Sequence, residues 1–184
     1  VTGNRLYMNN SSPSVVSFTD ETESAGVRDG NWGWGACMAD FNNDGFLDIF
    51  HTTGFGMIPA KLHDGGIVSW VINLYAKIAA EFIGTTPRLF INNGDGTFHD
   101  ASTEWGLNIP SEGRGVICFD YDRDGDIEIA LVDNSTGIQF FENQIGHGPG
   151  SRFLNVRLVG DQPNTDAIGA KVYLSADVGG GHGL

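Results

Sequence analysis

The sequence predicts an all-β chain assembled from repeated units of short antiparallel strands. Three observations carry this expectation. Two acidic nine-residue turns, 40–48 and 120–128, each sit between apolar runs of strand length. The elements around them recur at a fixed spacing: Asp40 and Asp120 stand 80 positions apart, and so do Phe18 and Phe98. The 27 glycines suit a chain that turns often and tightly.

Read in order, the chain opens with Leu6-Tyr7-Met8-Asn9-Asn10 and then Phe18-Thr19-Asp20, followed by Glu23-Ser24-Ala25-Gly26-Val27. Gly33-Trp34-Gly35 and Ala36-Cys37-Met38-Ala39 lead into the first acidic turn, and Leu47-Asp48-Ile49-Phe50 leads out of it. The region 54–88 interrupts the repeat. The pattern resumes with Leu89-Phe90-Ile91-Asn92-Asn93, the strand-joining turn Asn93-Gly94-Asp95-Gly96-Thr97, and Phe98-His99-Asp100. Thr103-Glu104-Trp105-Gly106-Leu107 repeats the segment that follows Asp20, and Gly113-Arg114-Gly115 repeats Gly33-Trp34-Gly35. Val116-Ile117-Cys118-Phe119 and Ile127-Glu128-Ile129-Ala130-Leu131-Val132 flank the second turn, and Ile138-Gln139-Phe140-Phe141-Glu142-Asn143 begins a third copy.

The two turns have the spacing of calcium sites. Asp40, Asn42, Asp44 and Asp48 place side-chain oxygens at positions 1, 3, 5 and 9, and Asp120, Asp122, Asp124 and Glu128 do the same. Calcium is a hard cation that takes six to eight oxygen ligands, which alternating residues of a tight loop can supply. The peptide carbonyls at position 7, Phe46 and Asp126, complete the expected sets. Gly45 and Gly125 permit the turn that returns the last carboxylate to the ion. An EF-hand is excluded, because its loop ends on a Glu at position 12 and is flanked by helices. Asp, Asn and Gly are also ordinary turn residues, but two turns with one set of offsets favour a metal over an acidic surface.

These residues resemble the FG-GAP, or VCBS-type, β-propeller repeat, whose blades carry an Asp-x-Asp/Asn-x-Asp-Gly-x-x-Asp calcium loop in a hairpin and a Leu-Phe-x-Asn-x-Gly-Asp-Gly-Thr-Phe segment. Glu128 departs from the usual Asp at the last position. The segment from Arg152 to about Leu174, with Phe153-Leu154-Asn155-Val156-Arg157-Leu158-Val159-Gly160 and Asn164-Thr165-Asp166-Ala167-Ile168-Gly169-Ala170-Lys171-Val172, resembles the ASPIC/UnbV segment that follows such propellers in secreted acidic proteins. The resemblance implies propeller-like four-stranded blades over 1–148, about two and too few to close alone. It implies an ASPIC/UnbV-like C-terminal β segment over 149–184, and an extracellular, calcium-rich, non-catalytic module holding two ions.

Within the interruption, Ser69, Asn73, Lys77 and Glu81 recur every four residues across 67–83, and the rest of that stretch is apolar. This predicts a helical insertion with one narrow polar stripe, the pattern of a buried helix. Its length approaches a membrane span, but its four polar residues argue for packing against its own domain or a neighbouring subunit. The missing blades point the same way, because open strand edges pair with other chains. Copies of the same chain, meeting through strand edges and the 67–83 helix, are the expected partners.

Net charge is −13, so nucleic acid is not an expected partner. Cys37 lies three residues before its turn and Cys118 two before its own. On matching strands the two therefore face opposite sides, which predicts buried free thiols rather than a disulfide. Starting at Val1 without a signal segment, the chain reads as a processed form or a piece of a longer polypeptide. Filling the turns needs abundant calcium, which favours the extracellular space or cell surface. Asn9, Asn10 and Asn134 head glycosylation acceptor triplets. No His-Glu-x-x-His, Gly-x-Ser-x-Gly or phosphate-binding pattern occurs, so no enzyme is expected. The leading expectation is a calcium-stabilised extracellular structural module that assembles with its neighbours, plausibly as a homopolymer or surface filament. The alternatives are an adhesion or ligand-binding propeller module, or a non-catalytic fragment of a larger secreted protein.

Overall fold

Alternating apolar and small residues around the two acidic turns fold into β-hairpins, and the hairpins build sheets that stack face to face. The computed structural model describes residues 3–55, 76–77, 80, 82–145, 154 and 156–174. Among these are nine strands: β1 (Tyr7–Asn9), β2 (Phe18–Asp20), β3 (Gly33–Ala39), β4 (Asp48–Thr53), β5 (Arg88–Asn92), β6 (Phe98–Asp100), β7 (Gly113–Phe119), β8 (Glu128–Asp133) and β9 (Gly137–Phe141). They form three sheets, β1-β2, β3-β4-β5-β6 and β7-β8-β9, with every neighbouring pair antiparallel. The bounds of β3, β4 and β2 shifted by 80 are those of β7, β8 and β6, so the sequence repeat is a structural repeat.

The larger core fills the space between the second and third sheets. Phe50, Leu89 and Ile91 of the second sheet pack with Ile129 and Leu131 of the third and with Phe41, Ala101 and Leu107 from the loops. Burying a side chain such as Phe50 or Leu131, both at 0 % exposure, contributes about 1.5–3 kcal/mol. A smaller cluster of Ala25, Val27 and Phe90 joins the first sheet to the second, with Leu6, Ile49 and Phe98 at its margin. Two glycines of the repeated Gly-x-Gly, Gly35 on β3 and Gly113 on β7, stand where the second and third sheets approach closely. A Cβ on Gly113 would stand 2.7 Å from the Thr52 side chain, and one on Gly35 would stand 3.1 Å from the Arg114 carbonyl oxygen.

The all-β class stands, and three sequence-based expectations are corrected. First, no helix forms an element among the described residues. Among the described residues of the expected 67–83 helix, Ala76, Lys77 and Ala80 carry helical backbone, and 82–84 form a turn. Residue periodicity reports local propensity, whereas a helix is fixed by what its apolar face packs against. Phe82 at the end of this stretch is drawn instead to Trp32, with ring centroids 5.4 Å apart. The remainder of the expected helix lies outside the described residues.

Second, no strand forms among the described residues of 149–184. Its alternating side chains stay exposed, Val159 at 76 % and Tyr173 at 86 %, because no strand among the described residues accepts its backbone hydrogen bonds. Instead the backbone is spanned by turn bonds such as Gly160 N–H to Thr165 O (3.0 Å) and Ala170 N–H to Ala167 O (3.0 Å).

Third, Cys37 and Cys118 form a disulfide, with Cα atoms 6.4 Å apart. The two cysteines do face opposite sides of their own sheets. Because the sheets stack, the side of β3 that carries Cys37 is the side that meets the Cys118 side of β7, and both border the larger core. The separation of 81 residues, one more than the repeat, is what makes the pair face each other.

On its other face the third sheet is open. Ile117 and Phe140 both neighbour Ala130, and Val132 neighbours Ile138. Ile117, Val132, Ile138 and Phe140 are 61 %, 51 %, 77 % and 46 % exposed.

Candidate metal centres

Each acidic turn closes on itself through the carboxylate at its first position. In turn 40–48, Asp40 accepts the Gly45 N–H at 2.8 Å and the Asp44 N–H at 3.1 Å. Asn42 Oδ1 accepts the Asp44 N–H (3.2 Å), and Asp44 Oδ1 accepts the Phe46 N–H (2.8 Å). Turn 120–128 repeats the pattern. Asp120 accepts from Gly125 N–H and Asp124 N–H, both at 3.2 Å, Asp122 accepts from Asp124 N–H (3.3 Å), and Asp124 accepts from Asp126 N–H (3.0 Å). Tight reversal is obtained in both by positive φ at positions 4 and 6: Asn43 at 57° and Gly45 at 92°, Arg123 at 69° and Gly125 at 97°.

The last carboxylates are buried, Asp48 at 0 % and Glu128 at 1 % exposure. Asp48 accepts the N–H of Phe41 (2.9 Å) and of Asn92 (2.8 Å), and Glu128 accepts the N–H of Tyr121 (2.8 Å). The longer Glu side chain thus does at Tyr121 what Asp48 does at Phe41. Burial raises the proton affinity of Asp48, and Asp44 and Asp40 raise it further against the two N–H donors. Burial likewise raises Glu128, reinforced by Asp122, Asp124 and Asp120 and opposed by the Tyr121 N–H. Both are buried negative groups facing further negative groups, an arrangement that a cation relieves.

The fold brings Asp120, Asp122 and Asp124 together, with one oxygen of each within 4.8 Å of the others. Among the described residues no other set of three carboxylate, histidine or thiolate groups is so placed: Glu128 is not part of this cluster, and Asp40, Asp44 and Asp48 form none. Phe46 and Asp126 stand at position 7 of their turns. The donors in both turns are carboxylate, amide and peptide oxygens, which suit a hard cation and not a thiolate- or imidazole-seeking metal.

Three asparagines that the spacing argument passed over support these turns. Asn92 Nδ2 donates to the Leu47 carbonyl oxygen (3.0 Å), and Asn143 Nδ2 donates to that of Ile127 (3.3 Å), 80 positions on. The repeated Asn at or just past the end of the third strand of each unit was the available signal. Asn143 also donates to the Phe41 carbonyl oxygen (2.8 Å), and Asn43 Nδ2 donates to Asp126 Oδ1 (2.6 Å), so the two turns are joined.

An FG-GAP-like repeat family matches residues 78–131, the span that contains β5 to β7, the second turn and the first four residues of β8. Human cartilage acidic protein 1 is 50 % identical over 42 residues, a match that covers 22 % of this chain and 6 % of that protein's length. The repeat and this relative assign the chain to the extracellular space or the cell surface. No helix among the described residues is long and apolar enough to cross a membrane.

Proposed function

We propose that the chain is a calcium-stabilised, non-catalytic extracellular module of FG-GAP-like repeats that serves adhesion or ligand binding. One ion is held by Asp40, Asn42, Asp44, Asp48 and the Phe46 carbonyl, and a second by Asp120, Asp122, Asp124, Glu128 and the Asp126 carbonyl. The observation that carries this reading is the convergence of Asp120, Asp122 and Asp124 in a hydrogen-bond network that turn 40–48 duplicates. Calcium supplies the counter-charge for these carboxylates, while the chain's own N–H groups and asparagines hold the loops in shape. The disulfide accords with an oxidising exterior. Asn9, Asn10 and Asn134 are exposed and available as glycan acceptors. Scanning calorimetry with and without a calcium chelator tests the reading, because a ligand bound only by the folded state raises its melting temperature. An unchanged melting curve, with no calcium by elemental analysis, contradicts it.

A second reading, association with a copy of the same chain, draws on the open face of the third sheet. The second sheet's corresponding face, with Phe50 and Leu89, is covered by the third sheet. Ile117, Val132, Ile138 and Phe140 offer a similar apolar surface. Most of the 67–83 segment, the other expected contact, lies outside the described residues. Light scattering at micromolar concentration decides: an assembly that Ile138→Asp with Phe140→Asp dissolves supports this reading, and a well-folded monomer removes it.

A further inference from the structure

The two turns are separate in sequence but not in the fold. Three links join them. The Asn43 amide, at position 4 of the first turn, donates to the Asp126 carboxylate in the second at 2.6 Å. The Asn143 amide donates to both the Phe41 and the Ile127 carbonyl oxygens, one from each turn. The disulfide joins β3 and β7, the strands that lead into the two turns. Asp126 is 4 % exposed and Phe41 2 %, so these links run partly through the interior.

We propose that the two calcium sites bind cooperatively, with Asn43 as the positioning residue that couples them. This rests on the calcium reading above. Asn43 holds the side chain of Asp126, and the main-chain carbonyl of Asp126 is the position-7 ligand of the second site. Filling the first turn fixes its backbone, including the left-handed Asn43 at φ 57°. Fixing Asn43 fixes its amide, which in turn orients Asp126. The second site then loses less conformational freedom on binding, which is positive coupling without a large rearrangement. Linkage requires that filling the second site favours the first by the same factor.

Chelator-competition titration with calcium tests this, using the full chain and its variants. Glycine accepts the positive φ, so Asn43→Gly deletes the amide and leaves the backbone relaxed. Asn43→Asp also tolerates that conformation but sets a carboxylate against Asp126. The wild type is expected to take two ions, the second bound at least about fivefold more tightly than the first in microscopic affinity. Asn43→Gly is expected to bring that ratio close to one with both sites still filled, and Asn43→Asp to take it below one. Disabling either turn, by Asp44→Ala or Asp124→Ala, is expected to weaken the remaining site by one common factor. Two ions bound with equal microscopic affinity in the wild type overturn the coupling and leave the calcium reading intact. Coupling that persists in Asn43→Gly overturns the role of Asn43. No calcium at either turn overturns both the coupling and the reading beneath it.

Discussion

Replacing Cys37 and Cys118 together by serine removes the disulfide cross-link between the second and third sheets. The bond closes a separation of 81 residues. In the chain-entropy treatment, a cross-link of that span contributes about 4.5 kcal/mol by restricting the unfolded chain. For a chain of this size, that corresponds to a fall in melting temperature of roughly 9–18 °C. The folded state changes little, because two partly buried sulfur atoms become two hydroxyls at the edge of a core whose apolar contacts remain. Differential scanning calorimetry of the wild type and the Cys37→Ser/Cys118→Ser variant under saturating calcium measures the fall. Melting within about 2 °C of each other, with thiol titration showing the wild type to be oxidised, would rule out a cross-link contribution of this size. Two reactive thiols in the unreduced, unfolded wild type would remove the bond itself.

Acid should destabilise the fold in two separate windows. Buried His51 accepts from the Asn4 amide at Nε2 (3.1 Å) and donates from Nδ1 to the Thr52 carbonyl oxygen (3.2 Å), and burial lowers its proton affinity below the ordinary value of 6.5. Stability from His51 is therefore present above 6.5 and falls as pH drops below it, because the unfolded chain takes up the proton first. Burial would raise Asp133, but donors from Thr136, Glu112, Ser135 and Ser111 outweigh it and bring it down from 3.8 to about 2. Its contribution, about 2 kcal/mol, is present above 3.8 and is lost as pH falls towards 2. Asp133→Asn should flatten the lower window and leave the upper one, as read from denaturant melts across pH. Gly54→Ala should destabilise by about 1–3 kcal/mol, since φ there is 121° and the added methyl would stand 2.2 Å from the Ser111 carbonyl oxygen; a variant as stable as wild type contradicts that contact.

The acidic turns and their flanking strands were legible because what shapes them is local. Oxygens at positions 1, 3, 5 and 9 with Gly at 6 specify a turn, and apolar alternation specifies the strands that enter and leave it. The spacing of 80 then carried Asp40 onto Asp120 and β4 onto β8. What stayed hidden was the relation between units. Cys37 and Cys118 were correctly placed on opposite faces, but only the stacking of sheets reveals that those faces meet. The Asn43 bond to Asp126 crosses 83 positions, and no pattern within either turn announces it. The 67–83 and 149–184 segments show the converse failure. Their residue patterns suit a helix and strands, but pattern alone supplies no partner, and Val159 and Tyr173 remain exposed.

If both acidic turns hold calcium, the ions can be counted one turn at a time. Native mass spectrometry of the chelator-stripped chain, returned to calcium, counts the ions directly. Two calcium ions are expected on the wild type, one on Asp124→Ala and one on Asp44→Ala. A wild-type chain that remains folded and carries no calcium contradicts the account.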